Sequence, residues 1–337
     1  MVQHNDDFSI EIRWIGDRIR EETLTFPNSL RPLAEHYTSK RLIFSAGKDG
    51  MIRLDPKLGL PTRNFIPDVV LWLADAFGLK DRDVSKRLAL GLVYSSLAFA
   101  VLDDTIDQET QSTSSNLALA NMYFHRYLKS FDDLFEPDSK FWYYLASSLK
   151  EFTLLVCQDF TFKHEPKNIA TVDPLSEPFL LESCKSYSVL VMTTFTAVAY
   201  ASHNETKIPL LTKFWNDYAM GHRIYDDLND LHRDLEIDDY NNSSVLLYAL
   251  QKADNKSKLD EELVWSMLLD ADFIQKIYNT MLGLFGRARE EASAFNSPYL
   301  TTFMDDLISI HTQKRDGLLL ARSNFFNELN RILKKSD

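Results

Sequence analysis

The stretch Val101-Leu-Asp103-Asp104-Thr-Ile-Asp107 places three carboxylates within five residues, at the end of the long apolar run 88–102. On a helix, residues four apart lie on one face, so Asp103 and Asp107 point the same way. Two like charges this close are unfavourable unless a positive group lies between them, and carboxylate oxygens suit Mg²⁺. The stretch therefore predicts a metal site at the mouth of an apolar pocket; the alternative is a solvated acidic helix end.

A second acidic stretch strengthens the prediction of a metal site. Asp226, Asp230 and Asp234 lie on three successive turns of one predicted helix face, directly after the aromatic and apolar run 214–221. Asp238 leaves open a second register that is shifted by one turn. Two acidic faces separated by several helices would oppose each other across a bundle and hold a diphosphate through metal ions.

The composition favours an all-α protein and limits its partners. Only 10 Gly and 11 Pro in 337 residues argue against a turn-rich β architecture. A net charge of −12 argues against nucleic acid and anionic membranes, and an anionic substrate would need metal ions to reverse the local charge. Two cysteines, a polar N-terminus and the lack of a charge-free run of about 18 residues predict a cytoplasmic protein without a membrane anchor.

Helical periodicity begins near residue 65 and continues to the end of the chain. We expect one domain over 1–337, with an irregular N-terminal wrap of short helices and loops over 1–60 and a catalytic antiparallel helix bundle over 65–335. The predicted helices span 69–78, 83–107, 114–130, 141–162, 176–202, 211–234, 243–252, 258–270, 273–292 and 298–334. Phe131-Asp132-Asp133-Leu-Phe-Glu136 imitates the metal motif, but Pro137 follows it, so we interpret it as a loop.

Two basic residues are candidates for binding a diphosphate. Lys185 precedes the most apolar part of its helix, where a cation is costly unless it is paired or reaches solvent. Arg233 lies one turn beyond Asp230 and beside Asp234; an ordinary surface ion pair is the alternative for this arginine.

These residues resemble a known family. Asp103-Asp104-Thr-Ile-Asp107 resembles the DDxxD metal motif of class I terpene synthases (terpene cyclases), in the isoprenoid synthase superfamily, and residues 226–234 resemble their second metal motif. The resemblance covers roughly 65–330. It implies the all-α bundle of that family, often homodimeric, and a lyase that ionises and cyclises a linear prenyl diphosphate, farnesyl or geranylgeranyl diphosphate being favoured, to a terpene hydrocarbon or alcohol with release of diphosphate.

The resemblance also implies ligands and roles. About three Mg²⁺ ions, with Mn²⁺ as a substitute, would bind the two motifs, two at Asp103 with support from Asp107 and one at the second motif. The carboxylates of that second motif are those of Asp226, Asp230 and Asp234. Lys185, near the position of the family's diphosphate-sensing arginine, and Arg233 would bind the diphosphate.

A carbocation also needs a dry cavity and aromatic faces, each worth roughly 0.5–2 kcal/mol to a nearby cation. Ordinary core packing is the alternative for every aromatic residue considered. The candidates are Trp72, Tyr94, Phe99, Phe152, Phe195, Trp215 and Tyr218.

Chain elongation is the principal alternative. Asp230 and Asp234 replace the usual Ser or Thr and Glu, which brings the second motif towards the DDxxD of trans-prenyl diphosphate synthases. Those enzymes bind isopentenyl diphosphate with further cations, yet here Ser96 holds the position of a histidine, residues 108–112 contain no arginine, and only Gly47-Lys48 with Arg53 resembles the remaining basic segment. We therefore expect a cyclase, and a catalytically inactive helical interaction protein is the third hypothesis.

Overall fold

Helices are the regular secondary structure of the described part of the chain, which confirms the predicted all-α class. The computed structural model describes residues 8–41, 65–106, 113–164, 172–236, 243–253, 266–267 and 269–333. Its α-helices are α1 Ser9–Leu24, α2 Arg31–Arg41, α3 Phe65–Ala76, α4 Arg82–Ile106, α5 Thr113–Lys129, α6 Lys140–His164, α7 Glu177–Ala201, α8 Ile208–Glu236, α9 Ser244–Lys252, α10 Ala271–Ala294 and α11 Pro298–Leu333.

The predicted helix boundaries agree closely with these bounds. The end of α3 shows why: Gly78 adopts a positive φ of 72°, and the N–H of Leu79 reaches back to the carbonyl of Ala74 at 2.8 Å. This is the glycine-dependent helix stop that the sequence indicates. Most of the predicted helix 258–270 lies outside the described residues.

The chain divides into two compact units, each made of several segments. Unit 1 comprises Met1–Leu154, Tyr187–Thr212 and Ala294–Leu300, and unit 2 comprises Leu155–Ser186, Lys213–Ser293 and Thr301–Asp337. The boundaries between the units fall within α6, α7, α8, α10 and α11. The single domain over 1–337 stays a prediction.

In unit 1, helix α4 packs mainly against α3 and α5. Gly91 permits this packing, because a Cβ atom there would collide with the side chain of Ser130. Helix α1, one of the expected short N-terminal helices, buries Ile12, Ile15 and Ile19 at helical spacing. Residues 1–7 and 42–60 of the predicted N-terminal wrap lie outside the described part.

The apolar composition of α4 reflects its place in a core. Helix α4 is long and apolar enough to cross a membrane, which the sequence analysis did not predict. However, 67% of its most apolar 18-residue stretch is buried inside the protein. Helix α7 behaves similarly: residues 190–199 are all buried, as predicted for a helix that is apolar on most sides.

Candidate active site

The first acidic segment ends helix α4 in unit 1. Asp103 is half-buried and Asp104 is buried at 5% exposure. The turn that carries them is fixed by Thr105, whose hydroxyl donates to the carbonyl of Val101 at 2.6 Å and accepts from Asn116 of α5 at 3.3 Å. Asp107, the third predicted ligand, lies outside the described residues.

One face of α4 leads from the core to Asp103. Ser96, Phe99 and Asp103 follow each other at intervals of three and four residues, so they share that face. Tyr187 of α7 covers it: the tyrosine hydroxyl lies 3.2 Å from the Ser96 hydroxyl, and its ring centroid lies 5.2 Å from that of Phe99. The surface next to Asp103 is therefore aromatic and uncharged at these three positions.

Tyr94 lies in a different environment on the same helix. Its hydroxyl donates to Glu22 of α1 at 2.8 Å, and its ring stacks on Tyr123 with a centroid distance of 6.2 Å. Arg18 and Arg126 also bind Glu22, at 2.7 and 3.2 Å. Burial and the Glu22 charge raise the pKa of Tyr94, so the phenol remains a neutral hydrogen-bond donor.

The second acidic segment lies on α8 in unit 2, and the protein supplies a donor for each of its three carboxylates. His222 Nδ1 lies 2.9 Å from the Asp226 carboxylate, one turn away. Arg233 places one guanidinium nitrogen 3.0 Å from Asp230 and 3.3 Å from Asp234. Burial lowers the pKa of His222, but the charge and hydrogen bond of Asp226 outweigh it, so this pKa is raised.

Asp227, the second acid of the motif, faces inward and has a structural role. Its carboxylate accepts the backbone N–H of Ser244 at 2.7 Å, binds the Ser244 hydroxyl, and pairs with Arg223 Nε at 3.2 Å. Burial raises the pKa of Asp227, although Arg223 and the bonds from Ser244 oppose that effect. The carboxylate thereby ties the start of α9 to α8.

A histidine that the sequence analysis did not single out lies behind the second acidic segment. His311 of α11 is 1% exposed, and its ring centroid lies 4.9 Å from that of Tyr225 and 5.8 Å from that of Phe285. Its Nε2 atom has no hydrogen-bond partner in the described part of the structure. Burial first, then the charges of Lys314 and His222, lower the pKa of His311 to about 4.

The remaining predicted residues lie as follows. Lys185 is half-exposed and its ammonium nitrogen lies 3.7 Å from Glu182, in an ordinary i,i+3 ion pair. Trp72, Phe152 and Phe195 are buried in unit 1, and Trp215 and Tyr218 pack on each other in unit 2 at a centroid distance of 5.4 Å. The candidate loop 131–136 is indeed a turn between α5 and α6.

Two arginines of α11, Arg315 and Arg322, have partners within the protein. Arg315 donates to Asn279 and pairs with Asp316, each at 2.9 Å. Arg322 donates to the carbonyl of Leu269. Both arginines therefore already stabilise the packing of α11.

The carboxylates of the second segment are ligands that suit a hard divalent ion, although they do not converge on one point. Asp226 and Asp230 are carboxylates with side chains 49% and 45% exposed, one turn apart. Within the described residues, no three His, Cys, Asp or Glu side chains converge on a common centre. The carboxylates of Asp230 and Asp234 instead converge on Arg233.

Comparison with known proteins identifies the fold. No family model and no curated protein matches the sequence. Solved structures do match, among them three prokaryotic proteins. A geranyltranstransferase from Methanosarcina mazei matches with a TM-score of 0.55, 15% identity and coverage of 93% of this chain and 97% of that one. On the same four measures, a geranylgeranyl pyrophosphate synthetase from the archaeon Geoglobus acetivorans matches with 0.63, 16%, 89% and 99%, and a polyprenyl synthase from Roseobacter denitrificans with 0.57, 15%, 88% and 99%.

At 15–16% identity these similarities establish the fold alone. The chain has the helical fold of these three neighbours, and it matches each of them along nearly the whole of that neighbour's length. The predicted fold class is confirmed in this more specific sense.

Proposed function

We propose that this protein is a metal-dependent enzyme that ionises a linear prenyl diphosphate. One observation carries the proposal: a chain with the fold of three prenyltransferases has an acidic segment at the end of α4 and another along α8. Both segments follow a buried apolar run, so charged and apolar surfaces adjoin in each of them. A prenyl diphosphate, with an anionic head and an apolar tail, matches that combination.

The structural neighbours support chain elongation as the reaction that follows ionisation. They are named as a geranyltranstransferase, a geranylgeranyl pyrophosphate synthetase and a polyprenyl synthase, so transfer of the allylic cation to isopentenyl diphosphate is the reaction we propose first. This replaces cyclisation, which the sequence resemblance favours, as the leading hypothesis, and it would make the enzyme a transferase.

Cyclisation remains the second candidate because of specific residues. Isopentenyl diphosphate would require cations beside the first acidic segment, whereas Ser96 pairs with the neutral Tyr187 hydroxyl, and Gln108-Glu-Thr-Gln-Ser contains no basic residue. A single diphosphate substrate needs no such second site. The same first step would then lead to a terpene hydrocarbon or alcohol by a lyase reaction.

The chain's own groups would share the work of ionisation. Asp103, Asp107, Asp226, Asp230 and Asp234 would hold Mg²⁺, which when bound neutralises the charge that develops on the leaving diphosphate. Arg233 and Lys185 would bind phosphate oxygens, Arg233 through its two-pronged guanidinium. Phe99, one turn below Asp103, would offer a π face to the cation and help to exclude water.

Product analysis separates the candidates. The protein is incubated with Mg²⁺ and geranyl, farnesyl, geranylgeranyl or geranylfarnesyl diphosphate, with and without isopentenyl diphosphate, and the products are identified by mass. A longer diphosphate that forms only with isopentenyl diphosphate establishes an elongase. A hydrocarbon or alcohol from one allylic diphosphate alone establishes a cyclase.

Substitution of one acid in each segment tests the shared first step. We expect Asp103→Ala and Asp226→Ala each to reduce turnover by at least about a hundredfold, because each removes stabilisation of charge in the transition state. Asp132→Ala, in the turn that imitates the motif, is the matched control and should retain activity. An Asp103→Ala enzyme with normal turnover refutes the proposed role of the first segment.

The third hypothesis, an inactive helical interaction protein, predicts a different response to ligands. Mg²⁺ with inorganic pyrophosphate should raise the melting temperature of an enzyme that binds both, by mass action. An interaction protein without the metal site should show no such shift.

A further inference from the structure

The arginine of the second acidic segment pairs with two of the carboxylates that are proposed to bind a metal ion. One nitrogen of Arg233 lies 3.0 Å from an oxygen of Asp230 and 3.3 Å from an oxygen of Asp234, and all three residues belong to α8. The Asp234 side chain is only 10% exposed, so its charge depends on a nearby cation rather than on water. The guanidinium therefore acts as the counter-ion of both carboxylates.

A divalent ion and this guanidinium compete for the same carboxylates. Mg²⁺ binds carboxylate oxygens at about 2.0–2.1 Å, and its charge repels a guanidinium that lies at hydrogen-bond distance from those oxygens. A metal ion that binds the two oxygens held by Arg233 must displace the arginine. Displacement in water alone costs the two ion pairs and returns only hydration to the arginine.

A diphosphate changes that balance. Arginine binds phosphate oxygens in a bidentate manner, so a displaced Arg233 would recover its lost interactions from an anion that arrives with the metal ion. We propose that Arg233 is a built-in counter-cation. It opposes the binding of metal ions alone at the second segment and is displaced when a metal ion binds together with a diphosphate. This inference rests on the proposed function and concerns how that site is loaded.

The proposal predicts a thermodynamic coupling between metal and diphosphate. The Arg233 side chain is 55% exposed, so its two ion pairs together correspond to a factor of about five in affinity. Arg233 should therefore weaken the binding of a metal ion alone by about fivefold, and should strengthen its binding in the presence of diphosphate. By linkage, the metal ion should raise the affinity for diphosphate by the same factor as diphosphate raises the affinity for metal.

The test measures Mn²⁺ binding by the electron paramagnetic resonance signal of the free ion, with and without inorganic pyrophosphate, so it does not depend on turnover. The variants are Arg233→Gln and the conservative Arg233→Lys. Arg289→Gln is the matched control, because it removes one positive charge from an ion pair at 2.9 Å with Asp305, elsewhere in unit 2. Circular dichroism checks that each variant is folded.

We expect Arg233→Gln to bind Mn²⁺ alone about fivefold more tightly than the parent protein and to gain less from pyrophosphate. Arg233→Lys should lie between the two, and Arg289→Gln should match the parent. If the parent binds Mn²⁺ with pyrophosphate but Arg233→Gln binds Mn²⁺ alone no more tightly, the counter-cation is refuted and the proposed function stands. If the parent binds no Mn²⁺ even with pyrophosphate, the proposed function itself fails.

Discussion

The buried histidine His311 should make the stability of this protein depend on pH. Its side chain packs between the rings of Tyr225 and Phe285, and its pKa is lowered to about 4. In the unfolded chain the pKa of the same group is about 6.5. Between these two values the unfolded state binds more protons than the folded state, so stability falls as the pH decreases. The contribution of neutral His311 is complete above pH of about 6.5 and is lost as the pH falls towards 4.

The size of the effect follows from the two pKa values. At pH 5, protonation of His311 lowers the free energy of the unfolded chain by about 2 kcal/mol. It lowers the free energy of the folded protein by less than about 0.1 kcal/mol. At pH 7.5 both contributions are close to zero. The parent protein should therefore lose about 2 kcal/mol of unfolding free energy through this one group between pH 7.5 and pH 5.

The assay compares urea denaturation of the parent and of His311→Gln at both pH values. Other titrating groups change both proteins alike, so the difference between the two pH dependences isolates His311. We expect the variant to lose about 2 kcal/mol less than the parent on going to pH 5, whatever its stability at pH 7.5. The same substitution at the exposed His125 measures the effect of removing any histidine. Equal pH dependences in the parent and His311→Gln would refute the argument.

Three further substitutions test the packing and hydrogen bonding of unit 2. Gly221→Ala should reduce the free energy of unfolding by about 1–3 kcal/mol, because its Cβ would lie 2.6 Å from the Phe285 ring. Gly286→Ala has nothing within 4 Å of the new atom and should stabilise the protein by up to about 1 kcal/mol; thermal unfolding of both variants checks the pair. Ser244→Ala should cost about 1–3 kcal/mol, because buried Asp227 loses its hydroxyl donor. If Ser244→Ala is as stable as the parent in urea denaturation, the hydrogen bond between Ser244 and Asp227 does not stabilise the protein.

Much of the fold follows from local features of the sequence. Gly78 ends α3 because only a residue without a side chain adopts its positive φ cheaply, and this can be recognised without knowing what surrounds it. The turn at 131–136 was predicted for a similar reason, since Pro137 cannot continue a helix. The spacing of Asp226, Asp230 and Asp234 likewise needs only the period of a helix to be placed on one face.

The spacing of residues in the sequence also predicts some of the site's ion pairs, but it does not predict their role. His222 precedes Asp226 by four residues and Arg233 follows Asp230 by three, so both contacts are predictable from a helical wheel. Spacing alone cannot tell a counter-ion from a surface pair. The burial of Asp234 decides that question, because it removes water as an alternative partner.

The sequence by itself determined the all-α class and the approximate extent of most of the described helices, because these depend on interactions within a few residues. The tertiary structure decided which polar groups are removed from water and what they meet there. Ser244 reaches Asp227 across 17 positions of the chain, and Glu22 meets Tyr94 across 72. His311 becomes a neutral buried base only because Tyr225 and Phe285, from two other helices, enclose it. Such environments depend on solvation, and solvation is set by neighbours that are close in space but distant in sequence.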